Sequence, residues 1–190
     1  MASNSYHFVT RWRLPGTCEE ISQVLMEARA LPRWWPAVYL DVAELAPGDS
    51  AGVGKVISLY TKGWLPYTLH WQFQVTANQY PYGFQLEAWG DLTGRGVWTL
   101  APAGAEVEVT YDWKVSGDKA LFRYFSFLLK PLFSANHVWA MRVGETSLRL
   151  ELARRRARTA AERLQVPAPP GPTFRPLGLA GRAWPTIRSN

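Results

Sequence analysis

The chain of 190 residues is 47% hydrophobic and carries 21 basic and 15 acidic side chains, with ten tryptophans and a single cysteine. That is ample apolar material for one packed domain, and the lone Cys18 excludes a disulfide framework. The net charge of +6 is confined to the end of the chain: residues 149–190 hold nine arginines against Glu151 and Glu162, a net +7, which leaves −1 for residues 1–148 and argues against nucleic acid as a partner. The N-terminal MASNSYHFVTRW has no apolar core of a signal peptide, and no run of about 18 apolar residues occurs, so a soluble, cytoplasmic protein in a reducing compartment is expected.

In chain order, Tyr6 to Leu14 alternates, with Tyr6, Phe8, Thr10, Trp12 and Leu14 on one face, as in a half-buried strand. Pro15-Gly16 turns the chain, and Thr17-Cys18-Glu19-Glu20 has the form of a capping box that opens a helix from about Cys18 to Ala28. Leu31-Pro32-Arg33-Trp34-Trp35-Pro36, bracketed by prolines, permits one further short helical turn. Its two adjacent tryptophans point in different directions, so one enters a core while the other, taken as Trp35, lines an opening.

Six more strands are expected at Val38–Leu45, Gly54–Thr61, Tyr67–Ala77, Phe84–Gly90, Arg95–Ala101 and Glu106–Ser116, joined by short Gly- and Pro-containing turns. Links this short demand antiparallel neighbours. Alternation is cleanest in Tyr67, Leu69, Trp71, Phe73 and Val75, and in Val107, Val109, Tyr111, Trp113 and Val115. These describe one sheet with a single buried face.

Asp118 to Phe133 reads as an amphipathic helix ended or kinked by Pro131, either packed on the domain or serving as a lid or membrane-touching element. Ser134 to Arg163 reads as one long helix. A stripe of His137, Met141, Gly144, Leu148 and Leu152 faces the sheet, with Glu145 at its edge, and a second apolar line of Trp139, Val143 and Leu150 calls for a further partner. Beyond residue 163 the chain turns Pro- and Gly-rich and aperiodic, which divides it into a domain of residues 1–163 and a basic tail of residues 164–190. The spaced Phe174, Leu177, Leu179 and Trp184 suit a tail folded back over the second apolar line.

This element order, with the stretches RWWPAVYLDV, TKGWLPYTLHWQF, EAWGDLTGRGVWTL and ANHVWAMRVGETSLRLELARRRA, resembles the START-like or SRPBCC superfamily, and within it the bacterial polyketide cyclase/dehydrase group. The resemblance covers about residues 5–163. It implies an α+β helix-grip fold, with two short helices after the first strand and a seven-stranded antiparallel sheet wrapped around a long C-terminal helix. It also implies a deep apolar cavity between sheet and helix. The same scaffold serves binding, transfer and catalysis, so the resemblance alone does not choose among them.

The residues themselves carry no metal-ligand spacing, no nucleophile elbow and no phosphate or dinucleotide loop, so neither a metal nor a cofactor is expected. His137 is the polar residue on the inward stripe. It suits either a ligand contact and proton carrier or a core histidine bonded to backbone. Glu145 suits base work if it faces the cavity, and an arginine partner if it faces the rim. Gly144 leaves room for a ligand or a sheet aromatic. Trp12, Trp35, Tyr67, Trp71, Trp98, Tyr111 and Trp113, with His137, Met141, Gly144 and Leu148, are the expected lining of a site for a hydrophobic small molecule such as a lipid, polyketide or aromatic compound. The alternatives are a cofactor-independent cyclase, aromatase or dehydratase using His137 and Glu145, and a lipid-transfer module touching a membrane through residues 119–133. The oligomeric state is not legible.

Overall fold

The computed structural model describes the backbone of residues 5–117 and 126–174 and the side chains of residues 5–116 and 131–174. Seven strands form one antiparallel sheet: β1 (Ser5–Pro15), β2 (Tyr39–Ala46), β3 (Val56–Lys62), β4 (Thr68–Asn78), β5 (Gly83–Gly90), β6 (Leu92–Ala103) and β7 (Glu106–Gly117). Their order is β1-β7-β6-β5-β4-β3-β2, so the strands joined by the longest connection become the two edges. That connection carries α1 (Cys18–Met26), a 3-10 turn at Ala28–Ala30 and α2 (Leu31–Trp34). The expected capping box is present, with Thr17 Oγ1 accepting from the Glu20 N–H and Glu20 accepting from the Thr17 N–H.

Period-two alternation puts Trp71, Phe73, Val75, Val107, Val109, Tyr111, Trp113 and Val115 on the buried face. Register shifts in β2 against β3, and in β4 against β5, are irregularities of the kind that bend and twist strands. This is the α+β helix-grip architecture expected from the sequence.

The long helix differs from its expected bounds at both ends. It is a single element, α3 (Ser126–Arg156), which runs through Pro131 instead of ending there. It stops at Arg156, and α4 (Ala160–Gln165) starts afresh with its own capping box between Thr159 and Glu162. The apolar stripe is exhausted at Leu152, so nothing buries a continuation through the arginines, while Thr159 supplies a competing helix start. Met141, Leu148 and Leu152 are buried as the stripe requires, and Trp139 and Val143 pack against the same core.

Of the segment expected at a membrane, residues 118–125 lie outside the described residues. Phe133 is turned inward and buried while Leu132 is exposed. Among the described residues, no helix is long and apolar enough to cross a membrane.

The described part of the tail makes contacts with both α3 and the sheet. Arg154 donates to the Pro167 carbonyl at 2.9 Å, and the chain then reaches β3, where the Lys62 ammonium donates to Thr173 Oγ1 at 2.7 Å and to the Phe174 carbonyl at 3.1 Å. The ammonium also lies 3.3 Å from the centroid of the Phe174 ring. Leu177, Leu179 and Trp184 lie outside the described residues.

Candidate ligand-binding site

An apolar cavity of about 150 Å³ lies between the sheet and the N-terminal half of α3. The sheet supplies a floor of overlapping rings. Tyr111 stacks on Trp113 at 5.7 Å and Trp113 meets Trp71 at 5.9 Å, while Trp98, outside the cavity, stacks on Tyr111 at 4.1 Å. Gly96 makes this possible, since a β-carbon there would fall 2.6 Å from the Tyr111 hydroxyl. The roof is Phe133, Ala140 and Met141 of α3 together with Trp35, and Tyr6, Phe8 and Tyr39 close the sides.

Of the residues singled out in the sequence, Trp35, Tyr67, Trp71, Tyr111, Trp113, His137 and Met141 line this cavity. Trp12, Trp98, Gly144 and Leu148 do not. Trp12 packs edge-on against Trp35 at 5.9 Å and against Trp98 at 5.5 Å, so this pair fills the space farther along the helix. Leu148 is wholly buried in the same core. At Gly144 the missing side chain accommodates Trp35, so the room is taken neither by a ligand nor by a sheet aromatic. The alternation that turns all of these residues inward cannot tell which depth is packed and which is hollow.

Of the two readings open for Glu145, the structure shows the arginine partner. Its carboxylate accepts from Arg149 at 2.9 Å across one helical turn, and the same guanidinium reaches the Arg13 carbonyl at the end of β1. The edge of the stripe thus falls at the rim.

Several polar groups of the wall are paired within the protein. Thr61 Oγ1 accepts from the Trp71 indole at 3.0 Å. Asn136, unremarked in the sequence except as the neighbour of His137, accepts from the Trp64 and Leu65 N–H groups at 2.8 and 3.3 Å and donates to the Tyr67 hydroxyl at 3.4 Å. One side chain thereby ties the β3–β4 connection to α3. Lys62 contributes to the wall, but its ammonium is held by Thr173 and Phe174, neither of which lines the cavity. In two residues of the wall, His137 and Trp35, a ring nitrogen (Nε2 and Nε1 respectively) is buried and without a hydrogen-bond partner among the described residues. Unsatisfied buried polar atoms are uncommon enough to call for a reason.

Burial shapes the protonation of this wall. It lowers His137 to about 4, so the imidazole, stacked on Phe8 at 4.0 Å, is neutral at pH 7. It raises Tyr39 and Tyr111 well above the ordinary phenol value and takes Tyr67 to about 12, so all three keep their protons. Among the described residues, no aspartate or glutamate lines the cavity. No cluster of three potential metal ligands occurs among the described residues.

A buried carboxylate lies elsewhere on α3. Glu151 is fully buried and accepts two bonds from Arg33, at 2.8 and 2.7 Å, and one from Arg155 at 2.8 Å. Arg155 also pairs with Glu27. This network fastens the C-terminal end of α3 to α1 and α2, away from the cavity. The sequence does carry a signal for it, because Glu151 lies within about 40° of His137 on a helical projection, but a charge among arginines resembles a solvated turn.

No family model and no curated protein matches the sequence. Solved structures match the fold. A protein of Thermus thermophilus aligns with a TM-score of 0.65 at 12% identity, over 80% of this chain and 100% of its own. The Zhui aromatase/cyclase from a Streptomyces species aligns at 0.60 and 14% identity, over 82% and 98%. A Thalictrum norcoclaurine synthase point mutant in complex with a transition-state analogue aligns at 0.52 and 14% identity, over 80% and 98%. At these identities the likeness is one of fold, the helix-grip fold of START-like proteins.

Proposed function

We propose that the protein is a cytoplasmic binder of a hydrophobic small molecule, held between the sheet and α3 within the domain of residues 1–163, with residues 164–190 as its appendage. The observation that carries this reading is the cavity itself: a flat aromatic floor, an apolar roof, no carboxylate among the described lining residues and a volume of about 150 Å³. That volume is similar to an engineered cavity that takes up benzene, and well below the several hundred Å³ of drug-sized sites. A compound of one ring fits without rearrangement.

The cyclase or aromatase reading loses ground on two points. Glu145 is turned to Arg149 at the rim. His137, at about 4, is a weak base at neutral pH, whereas efficient proton transfer favours a value near the working pH. Lipid transfer would rest chiefly on residues 119–133, most of whose side chains lie outside the described residues, and the cavity is small for an acyl chain.

Native mass spectrometry of the purified protein, followed by organic extraction, tests the binding reading. A discrete hydrophobic compound of low mass is expected to accompany the protein or to be taken up from an added aromatic pool. A protein that carries none and takes up none would overturn it.

A further inference from the structure

The alternation of the strands predicts a sheet with one buried face, but β3 is buried on both. Its inward residues Ile57 and Leu59 belong to the core beneath α3, and Thr61 lines the cavity. Val56, Ser58, Tyr60 and Lys62 alternate with these and belong to the face turned away from α3. They are nonetheless only 8, 0, 7 and 2% exposed. Val56 and Tyr60, though buried, stand apart from the hydrophobic core that holds Ile57 and Leu59.

Strand β7 supplies the comparison, because it too lies second from an edge of the sheet. Its outward side chains stay open. Those of Glu108 and Asp112 are each 39% exposed, Thr110 is half-buried and Lys114 is exposed. Two flanking strands therefore do not by themselves bury an outer face, and β3 carries a cover that β7 lacks.

The contacts at Lys62 show which part of the chain arrives there. Its ammonium donates to Thr173 Oγ1 and the Phe174 carbonyl, and the Phe174 ring lies over it. From Phe174 the chain continues through residues 175–190. Residues 1–4 lead instead into β1 at the far edge of the sheet, and residues 118–125 join β7 to α3 on the other face. At about 3.3 Å per residue, residues 175–190 reach as far as about 50 Å, ample for the roughly 23 Å of β3. Their chemistry suits the face. Leu177, Leu179 and Trp184 can cover Val56 and Tyr60, and Arg175, Arg182 and Arg188, with no acidic side chain among them, suit Asp41, which is half-buried opposite Tyr60.

We infer that residues 175–190 form a strap across the outer face of β3, starting from the contact between Phe174 and Lys62, so that this strand is held between the cavity and the C-terminus of its own chain. The strap goes beyond the binding reading above and does not depend on it. It makes the basic tail a structural part of the domain that precedes it.

The test is maleimide labelling of Ser58→Cys under native conditions, in the full chain and in a chain ending at Phe174. Lys114→Cys on the open face of β7 serves as reference, and the buried Cys18 reports whether each protein is folded. In the full chain the thiol at position 58 is expected to react about tenfold or more slowly than the one at 114, and without residues 175–190 to approach it, while Cys18 stays protected. A thiol at 58 that reacts freely in the full chain, or one equally protected in both chains, would overturn the strap. Protection that is lost on dilution would assign the face to a second copy of the chain and overturn it as well. If Cys18 of the shortened chain reacts, that chain is unfolded, and tryptic cleavage of the unaltered protein after Arg182 decides: cleavage much slower than in urea-unfolded protein supports the strap, and cleavage equally fast overturns it.

Discussion

Gly144 of α3 and the indole of Trp35 occupy adjoining space so closely that a β-carbon at 144 would fall 2.6 Å from Cε2 and Cη2 of that ring, and closer still to Cζ2. A glycine that weakens the helix thus lets a buried tryptophan roof the cavity.

Gly144→Ala sets two effects against each other. In an open helix the change gains about 1 kcal/mol. Here it drives a methyl group into a rigid ring, and overpacking of this kind costs about 1–3 kcal/mol. The net expectation is destabilisation of up to about 2 kcal/mol, seen as a drop of several degrees in thermal denaturation. An unchanged or raised melting temperature would mean that Trp35 moves aside freely, and would weaken its role as a fixed wall.

Glu151→Gln tests the network at the other end of α3. Burial alone would raise this carboxyl, but the hydrogen bonds and charges of Arg33 and Arg155 outweigh it and hold it below the ordinary value. A lowered carboxyl stabilises the fold above its unfolded value of about 4.3, and that contribution is lost as pH falls through the folded value. Arg33 is half exposed and can regain water, so the loss at pH 7 should lie near the low end for a broken buried pair, about 3 kcal/mol. Urea titrations should show this gap at pH 7, narrowing below about pH 4. A gap that is absent at pH 7 would refute the assignment.

His137 gives a separate acid dependence. Its value is lowered by burial to about 4, against about 6.5 when unfolded. The unfolded chain therefore binds the extra proton first, and stability falls as pH drops from about 6.5 to 4, by up to about 3 kcal/mol. His137→Phe should flatten the stability profile within that window while leaving the slope below pH 4 that belongs to Glu151. If the profile from pH 6.5 to 4 is the same in both proteins, the imidazole is not buried as described.

The contact between Lys62 and the tail is tested by Phe174→Ala. Burial lowers the Lys62 ammonium to about 8, and its charge sits over the aromatic face of Phe174. Removing a desolvated cation–π contact should cost about 1–2 kcal/mol, and truncation after Gln165 should cost more. Equal melting temperatures for the truncated and full chains would show that residues 166–174 do not dock in solution.

Much of this fold can be read from its residues because strands report themselves by alternation. The runs Tyr67–Ala77 and Glu106–Ser116 fall within a residue or two of β4 and β7, and the turns between strands are marked by Gly and Pro. Depth within the layer is a different matter. Trp12 and Trp113 both point inward, yet one is packed against Trp35 and Trp98 while the other floors a cavity, a distinction set by register and by where Trp35 happens to sit. The end of α3 at Arg156 escapes a reading of the sequence although Thr159 and Glu162 spell a new cap, because the arginines suit a continuing solvated helix equally well. Glu151 is hidden by the same run of charge.

The central claim is that the space beneath α3 takes up a ligand, and filling that space tests it most directly. Ala140 faces the cavity from the helix, so Ala140→Leu should occupy much of it without disturbing the buried stripe. Calorimetric titration with ethylbenzene should give saturable one-to-one binding to the unaltered protein, with a negative heat-capacity change, and no binding to a folded Ala140→Leu variant. Equal binding to both proteins, or to neither, would contradict the account.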